Sequence, residues 1–164
     1  MSRAFVNEDS AAAQASQPVE RQVSTQPNYV TATGLAQLQE RVARLQAEYS
    51  RQSALGEQAD KQRQADIERD LRYFNQRLSS AMLAAPATSS EVVQIGSRVT
   101  FANEQDEEQQ VQLVGEDQAD YASGLINWGS PLGRALLGAH PGDEVLWKRP
   151  AGDQLIEILR IDPA

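Results

Sequence analysis

Two stretches of helical periodicity, separated by a short turn, constrain the fold of this chain more than any other feature. In the first, seam residues recur at spacings of three and four: Leu35, Leu38, Val42, Leu45, Tyr49, Gln52 and Leu55. In the second, the same spacings link Ile67, Leu71, Phe74, Leu78 and Ala81. This is the a/d pattern of a coiled coil. Because Leu55-Gly56 interrupts it, the two seams can bury each other by folding back as an antiparallel hairpin about 30 Å long.

The remaining faces of both arms are polar, and the seams are narrow. Both properties favour a hairpin that stands apart over a helical pair packed on the rest of the protein. We expect a monomer. A homodimeric coiled coil is the alternative that the pattern leaves open.

Residues 1–28 are rich in Ala, Ser, Gln, Glu and Pro and lack apolar periodicity. Such a segment cannot bury enough surface to offset its ordering entropy, so we predict a disordered tail. The alternative is a segment that docks conditionally, with Phe5 and Val6 as its anchors.

The hairpin is predicted over residues 29–84, and the composition of residues 85–90 indicates a linker. The period then changes to that of strands, with candidates at 92–101, 107–114, 143–148 and 154–161. A short helix is predicted to begin after Ser130 as N-cap and to stop at Gly138. The sequence therefore predicts an α+β protein with an antiparallel β domain and one short helix over residues 91–164.

Composition excludes several classes of site and partner. The chain has no cysteine and a single histidine, His140, so disulfides and zinc are not expected. Residues 85–164 hold 13 acids and 5 bases within a net charge of −8, which argues against binding to free duplex DNA. No apolar run is long enough for a membrane, and the acidic N-terminal segment is unlike a signal peptide. We expect a cytoplasmic protein with no membrane partner.

Five segments resemble motifs of the bacterial Gre factor family. Leu113–Asp120 resembles its "IVGxDEAD" strand and turn, and Leu125–Gly138 resembles its "xISxxSPxARALxG" segment. Pro141–Val145 and Arg149–Gly152 resemble its "xGDxV" and "TPxG" turns. Tyr29–Leu35 resembles the start of its hairpin.

The resemblance runs in order over residues 29–164 and implies a C-terminal domain with an FKBP-like fold. It implies docking at the rim of the RNA polymerase secondary channel, with the hairpin projecting into the channel. The chain would then be a transcription elongation factor without a catalytic centre of its own. In cleaving members, two tip acids help to hold a polymerase Mg²⁺ that activates water.

The tip of this hairpin departs from the cleaving pattern "LGDxxEN". Glu57 and Asp60 occupy the two acidic positions in exchanged order, and Lys61 replaces the asparagine. Each arm also lacks about seven residues, which shortens the reach by roughly 10 Å. This resembles short-hairpin relatives such as Rnk. One hypothesis is that Glu57 and Asp60 share a polymerase Mg²⁺, and the other is that they are solvated turn residues.

The resemblance assigns polymerase docking to the segment around Ser-Pro: Ile126, Asn127, Trp128, Gly129, Ser130 and Pro131. Gly129 stands where relatives carry Asp or Asn. Trp128 is either an aromatic anchor for the partner or a core residue, because it shares the strand parity of Ile126.

The arms of the hairpin carry six arginines that are candidates for contact with nascent RNA inside the polymerase: Arg41, Arg44, Arg51, Arg69, Arg72 and Arg77. The alternative is that these charges are solvated, as charges on the outer faces of coiled coils usually are.

Three functions from different classes remain. The first is a polymerase-binding factor that modulates elongation or competes with other channel factors, with transcript cleavage as its alternative mode. The second is a prolyl isomerase, which would need an aromatic-lined apolar pocket. The third is a coiled-coil adaptor for another partner.

Overall fold

The structure, a computed structural model, describes residues 19–164 of the chain. Two helices come first: α1, Ala32–Ala54, and α2, Lys61–Ser80, with a 3-10 turn at Gly56–Gln58 between them. Phe5 and Val6 lie outside the described residues, as does the predicted tail up to residue 18.

Hydrogen bonds between side chains near the turn hold the two helices in antiparallel register. Arg63 Nε donates to Glu48 Oε1 at 2.7 Å, and Gln64 Nε2 donates to Ser53 Oγ at 3.4 Å. The helical hairpin predicted from the two seams is therefore confirmed. Its coiled-coil character stays a prediction.

The buried apolar side chains of both helices are predicted seam residues, whereas Leu55, the last residue of the first seam, is 49% exposed just beyond the end of α1. Leu38, Val42 and Leu45 are buried on α1, and Ile67 is buried on α2. Several other seam residues are only half-buried: Leu35, Tyr49, Gln52, Leu71, Phe74 and Leu78. A single stripe on each helix therefore provides most of the apolar burial in the hairpin.

Two very short strands that were not predicted from the sequence flank the hairpin. Strand β1, Tyr29–Val30, pairs in parallel with β2, Met82–Leu83. A strand of two residues contains no alternation that a sequence pattern could show.

The C-terminal region forms a sheet of five strands: β3 Arg98–Ala102, β4 Glu108–Val114, β5 Leu125–Asn127, β6 Glu144–Trp147 and β7 Gln154–Asp162. Their order in the sheet is β5-β4-β3-β7-β6. One short helix, α3 at Pro131–Leu136, lies between β5 and β6. The α+β class is confirmed.

The sheet is mixed, which corrects the prediction of a wholly antiparallel one. Strand β5 runs parallel to β4, whereas the other neighbouring strands are antiparallel. The chain reaches β5 through two 3-10 turns, Glu116–Gln118 and Tyr121–Ser123, rather than through a tight hairpin. Such a crossover allows the parallel direction. The FKBP-like fold stays a prediction.

One apolar cluster forms the core of this sheet. Strands β3, β4 and β7 alternate buried and exposed residues, as expected when one face is covered. Leu132 and Leu136 of α3 join the buried face, and Trp147 packs edge-on against Phe101 at 6.3 Å between ring centroids. The core therefore fixes both α3 and β6 in place.

By contact density the described chain forms two compact units. We name residues 25–38 and 80–164 the β unit, and residues 19–24 and 39–79 the hairpin unit. The domain boundaries predicted from composition, after residues 28, 84 and 90, stay a prediction.

Candidate functional site

The predicted docking segment is a hydrogen-bonded loop that leads from β5 into α3. Ser130 caps α3, because its Oγ accepts from Gly133 N at 3.1 Å and donates to Asn127 O at 2.7 Å. Asn127 Oδ1 accepts from Gly129 N at 2.9 Å. Pro131 follows as the first helical residue, where its missing N–H is not needed. The loop is thus held by its own polar side chains.

The six residues predicted for docking differ in exposure. Pro131 is exposed, whereas Asn127, Trp128, Gly129 and Ser130 are half-buried. Ile126 is 1% exposed and belongs to the core, so its assignment to a partner contact is corrected. It occupies the inward position of β5, and strand alternation explains its burial.

Trp128 contacts a neighbour in the N-terminal segment of the β unit. Its ring meets that of Tyr29 edge-on, with centroids 5.4 Å apart and planes at 71°. Its backbone N–H donates to Val114 O at 3.0 Å. The half-buried ring therefore packs against Tyr29 and also retains exposed area.

Gln26 occupies the space where a side chain at position 129 would lie. A Cβ added to Gly129 would collide with the Gln26 side-chain amide. Gln26 Nε2 also points to Gly129 O at 3.5 Å. Glycine at this position leaves room for the N-terminal segment to approach the loop.

A groove beside Pro131 extends the predicted segment. It is lined by Gly129, Pro131, Arg134, Ala135, Leu146 and Lys148. Leu146 is 48% exposed, on the outward face of β6, while Val145 and Trp147 pack toward the core. Sequence reasoning did not find Leu146, Arg134 or Lys148. The alternation of β6 was the available signal, since it turns one leucine outward.

The tip of the hairpin is built around Gly56 and Asp60. Gly56 takes a φ of +56°, a left-handed conformation that glycine adopts without strain. Asp60 caps α2, because its Oδ1 accepts from Arg63 N at 3.0 Å. The backbone N–H of Asp60 donates to Gln52 Oε1 at 3.1 Å. Asp60 therefore has a structural role that the sequence reading did not assign to it.

Glu57 lies in the 3-10 turn and is exposed, as Asp60 is. Within residues 19–164, no group of three or more His, Asp or Glu side chains is placed to hold a metal ion. Mg²⁺ is usually held by one or two carboxylates, with waters or phosphate oxygens completing its octahedral shell. A metal at this tip would therefore be held by two protein carboxylates at most, with its other ligands coming from water or a partner.

Five of the six candidate RNA-contact arginines lie at the surface of the hairpin. Arg44 pairs with Glu40 at 2.9 Å, Arg69 pairs with Asp66 and Asp70, and Arg72 pairs with Glu20. A hydrogen bond to Glu20 raises the pKa of Arg72 above its ordinary value. Two more are exposed: Arg41, which lies 5.2 Å from the Phe74 ring centroid, and Arg51.

Arg77 is 1% exposed, which corrects its assignment to an RNA contact. It immediately precedes the seam residue Leu78 and lies one helical turn after Phe74. A side chain so completely buried is not available to RNA at the surface of the hairpin.

Comparison with known proteins agrees with the motifs. The family described as "Transcription elongation factor, GreA/GreB, C-term" matches residues 88–163. GreA of Cereibacter sphaeroides is 36% identical over 104 residues, covering 63% of this chain and 69% of the relative. The chain belongs to the GreA/GreB family. GreB of Neisseria meningitidis serogroup B, a further family member, is 36% identical over 104 residues.

The chain spans 64% of the length of the Neisseria GreB. Among solved structures, Gfh1 of Thermus thermophilus is 25% identical, with a TM-score of 0.41 and coverage of 84% of this chain and 99% of that one. A GreA/GreB factor of Nitrosomonas europaea is 24% identical, with a TM-score of 0.41. At these TM-scores neither likeness carries an argument.

The groove and the capped loop both fall inside the segment that matches the GreA/GreB family. The hairpin tip falls outside that segment. None of the described helices has the length and apolar character needed to cross a membrane.

Proposed function

We propose that this chain is a monomeric cytoplasmic elongation factor that binds RNA polymerase and modulates elongation through the secondary channel. The β unit docks at the rim, and the hairpin enters the channel. The observation that carries the proposal is the groove beside Pro131. It lies next to the capped loop in the segment that matches the GreA/GreB family.

The groove has the character of a preformed docking site. Its wall on α3 is fixed by the Ser130 cap, and its wall on β6 is fixed by the core residues Val145 and Trp147. Little ordering entropy would be lost on binding, because both walls are already in place.

The positive charges of Arg134 and Lys148 at the groove favour a partner surface with acidic side chains. Residues 85–164 hold only 5 bases against 13 acids, and two of those bases, Arg134 and Lys148, line this groove. A local positive potential in an acidic unit orients an approaching partner more than it strengthens the final complex. The groove therefore fits an apolar projection of polymerase that is flanked by acidic side chains.

The hairpin tip supports modulation better than transcript cleavage. Asp60 directs one carboxylate oxygen to the N-terminus of α2, and Lys61 follows it directly. A neighbouring ammonium group disfavours a divalent cation by Coulomb repulsion. Cleavage through a shared Mg²⁺ remains the second candidate function, since Glu57 and Asp60 are both exposed at the tip.

Docking is tested by binding to RNA polymerase, measured by biolayer interferometry. Leu146→Asp is expected to weaken binding at least about tenfold, since it places a charge at the centre of an apolar contact. Leu159→Asp is the matched control, because Leu159 is an exposed leucine of β7 outside the groove. Equal binding by the two variants would place the docking surface elsewhere.

The mode of action is tested by transcript shortening in a backtracked polymerase complex with magnesium. We expect the chain not to accelerate shortening and to suppress the effect of an added cleaving Gre factor. Acceleration by the chain that is lost in Glu57→Ala and Asp60→Asn would establish the cleavage mode instead. Asp60→Asn separates the two roles of this residue, because asparagine retains the cap and lacks the charge.

A further inference from the structure

The described part of the N-terminal segment lies along α2 of the hairpin. Residues 19–24 form no helix or strand. Arg21 nevertheless reaches α2, with Nη1 3.5 Å from Asp70 Oδ1 and Cζ 4.0 Å from the Tyr73 ring centroid. It also lies 5.0 Å from the ring centroid of Phe74. One side chain thus contacts a carboxylate and two aromatic rings at once.

The neighbouring residue of the segment makes a second contact, in which the segment supplies the anion and α2 supplies the cation. Glu20 forms an ion pair with Arg72, an arginine predicted to contact RNA. Val23 and Ser24, further along the segment, are half-buried. The segment therefore has both a cation and an anion matched to partners on α2.

Apart from Asp70, the covered face of α2 carries the aromatic and guanidinium groups that bind single-stranded nucleic acid. Asp70, Tyr73 and Phe74 share one helical face, and the two rings meet edge-on with centroids 5.0 Å apart. Arg41 reaches the Phe74 ring from α1. Aromatic rings next to guanidinium groups bind unpaired bases and their phosphates.

We propose that residues 19–24 form an autoinhibitory strap over this face, which single-stranded RNA has to displace. The strap neutralises Arg72 through Glu20 and covers Tyr73 and Phe74 through Arg21. Its exposed ion pairs and cation–π contacts are individually weak and are screened by salt, so a polyanion can compete with them. The RNA step rests on the proposed function, whereas closure of the strap does not.

Closure is tested by the distance between two spin labels in the full-length chain. The sequence has no cysteine, so labels at Val19→Cys and Gln76→Cys are specific, and both positions are exposed. We expect a narrow distance distribution that becomes at least about twice as wide in Arg21→Ala, because the contacts of Arg21 with Asp70 and with the two aromatic rings are lost. Arg51→Ala is the control, and it should leave the width unchanged. An equally broad distribution with and without Arg21 would overturn the strap.

Competition is tested by the anisotropy of a short fluorescein-labelled oligouridine. Arg21→Ala removes a positive charge, so simple electrostatics predicts weaker binding, as for Arg51→Ala. Strap opening predicts the opposite sign for Arg21→Ala, with binding about threefold tighter. Binding that weakens equally in both variants would overturn the autoinhibitory role.

A second pair of variants controls for net charge. Glu20→Gln and Glu40→Gln each remove one acid that pairs with a hairpin arginine, and only Glu20 belongs to the strap. We expect a larger gain in affinity for Glu20→Gln, and equal gains would again exclude the strap. Neither RNA assay contains polymerase, so a failure here is separate from a failure of docking at Leu146.

Discussion

The β unit and the hairpin are stabilised in different ways. In the β unit, Leu113 and Ile158 are completely buried within a cluster that receives residues from the sheet and from α3. In the hairpin, Ile67 is the one apolar residue of α2 that is buried, and the other seam residues of that helix are half-exposed. The β unit is thus held by a broad packed core, whereas the hairpin is held by a narrow apolar seam to which a cap, a cross-arm ion pair and the strap add smaller contributions.

Because of this difference, the β unit can hold a docking groove in a fixed shape, whereas the hairpin can exchange its surface contacts. A groove whose walls rest on a packed core keeps its shape without a partner. A hairpin whose polar contacts are exposed can exchange them for contacts with a partner at little net change in free energy. We therefore assign polymerase docking to the β unit and competition for RNA to the hairpin.

The largest effect is expected in the β-unit core. Ile158→Ala should lower the free energy of unfolding by about 3 kcal/mol, since it removes buried methyl groups and leaves a cavity. Urea unfolding followed by tryptophan fluorescence measures this, because Trp128 and Trp147 both lie in the β unit. Leu159→Ala, at the exposed neighbouring position, should change stability by less than about 0.5 kcal/mol. A loss under about 1 kcal/mol for Ile158→Ala would contradict a packed core.

A smaller effect is expected at the hairpin seam. Leu45→Ala should lower the free energy of unfolding by about 2 kcal/mol, near the lower end for such substitutions, because a two-helix seam can collapse around the gap. Helical circular dichroism in urea measures it, with the exposed neighbour Gln46→Ala as control. If Leu45→Ala is as damaging as Ile158→Ala, the contrast between the two regions is wrong.

The two regions also differ in what the sequence could predict. The hairpin was predictable because its seam repeats over many turns and Gly56 marks the break. Strands β1 and β2 were not predicted, and the parallel direction of β5 was not predicted either. Strands of two or three residues are too short to show a period in the sequence. The core of the β unit followed from alternation, while the parallel direction of β5 depended on a crossover that local pattern does not reveal.

The candidate site was predicted only in part, because several of its contacts join residues that are distant in sequence. Charge was taken as a sign of exposure at Arg77, whose side chain is instead buried. The contact of Gln26 with Gly129 and that of Arg21 with Tyr73 join residues far apart in sequence. No local pattern encodes such contacts. The outward leucine Leu146 could have been found from strand alternation alone.

The N-cap Ser130 of the β unit should contribute more to the free energy of unfolding than the N-cap Asp60 at the hairpin tip. Ser130→Ala is expected to lower stability by about 1.5 kcal/mol, since Ser130 Oγ is half-buried and makes two hydrogen bonds. Asp60→Ala, which removes an exposed cap, should lower it by about 0.7 kcal/mol. Urea unfolding measures both, and Asp60→Asn should restore most of the loss at the tip. A larger loss at Asp60 than at Ser130 would show that the tip is the more rigid of the two.

The smallest effects are expected at exposed ion pairs. Arg63 joins the two arms through Glu48, and this hydrogen bond raises the pKa of Arg63. In the β unit, Arg160 pairs with Asp162 at 3.0 Å, only two residues away along β7. A pair that joins two arms restricts their separation, whereas a pair within one strand restricts little beyond its own side chains. Double-mutant cycles on thermal midpoints should therefore give a larger coupling for Glu48–Arg63, and salt should remove it. Equal couplings that are insensitive to salt would show that the Glu48–Arg63 pair restricts the two arms no more than the Arg160–Asp162 pair restricts β7.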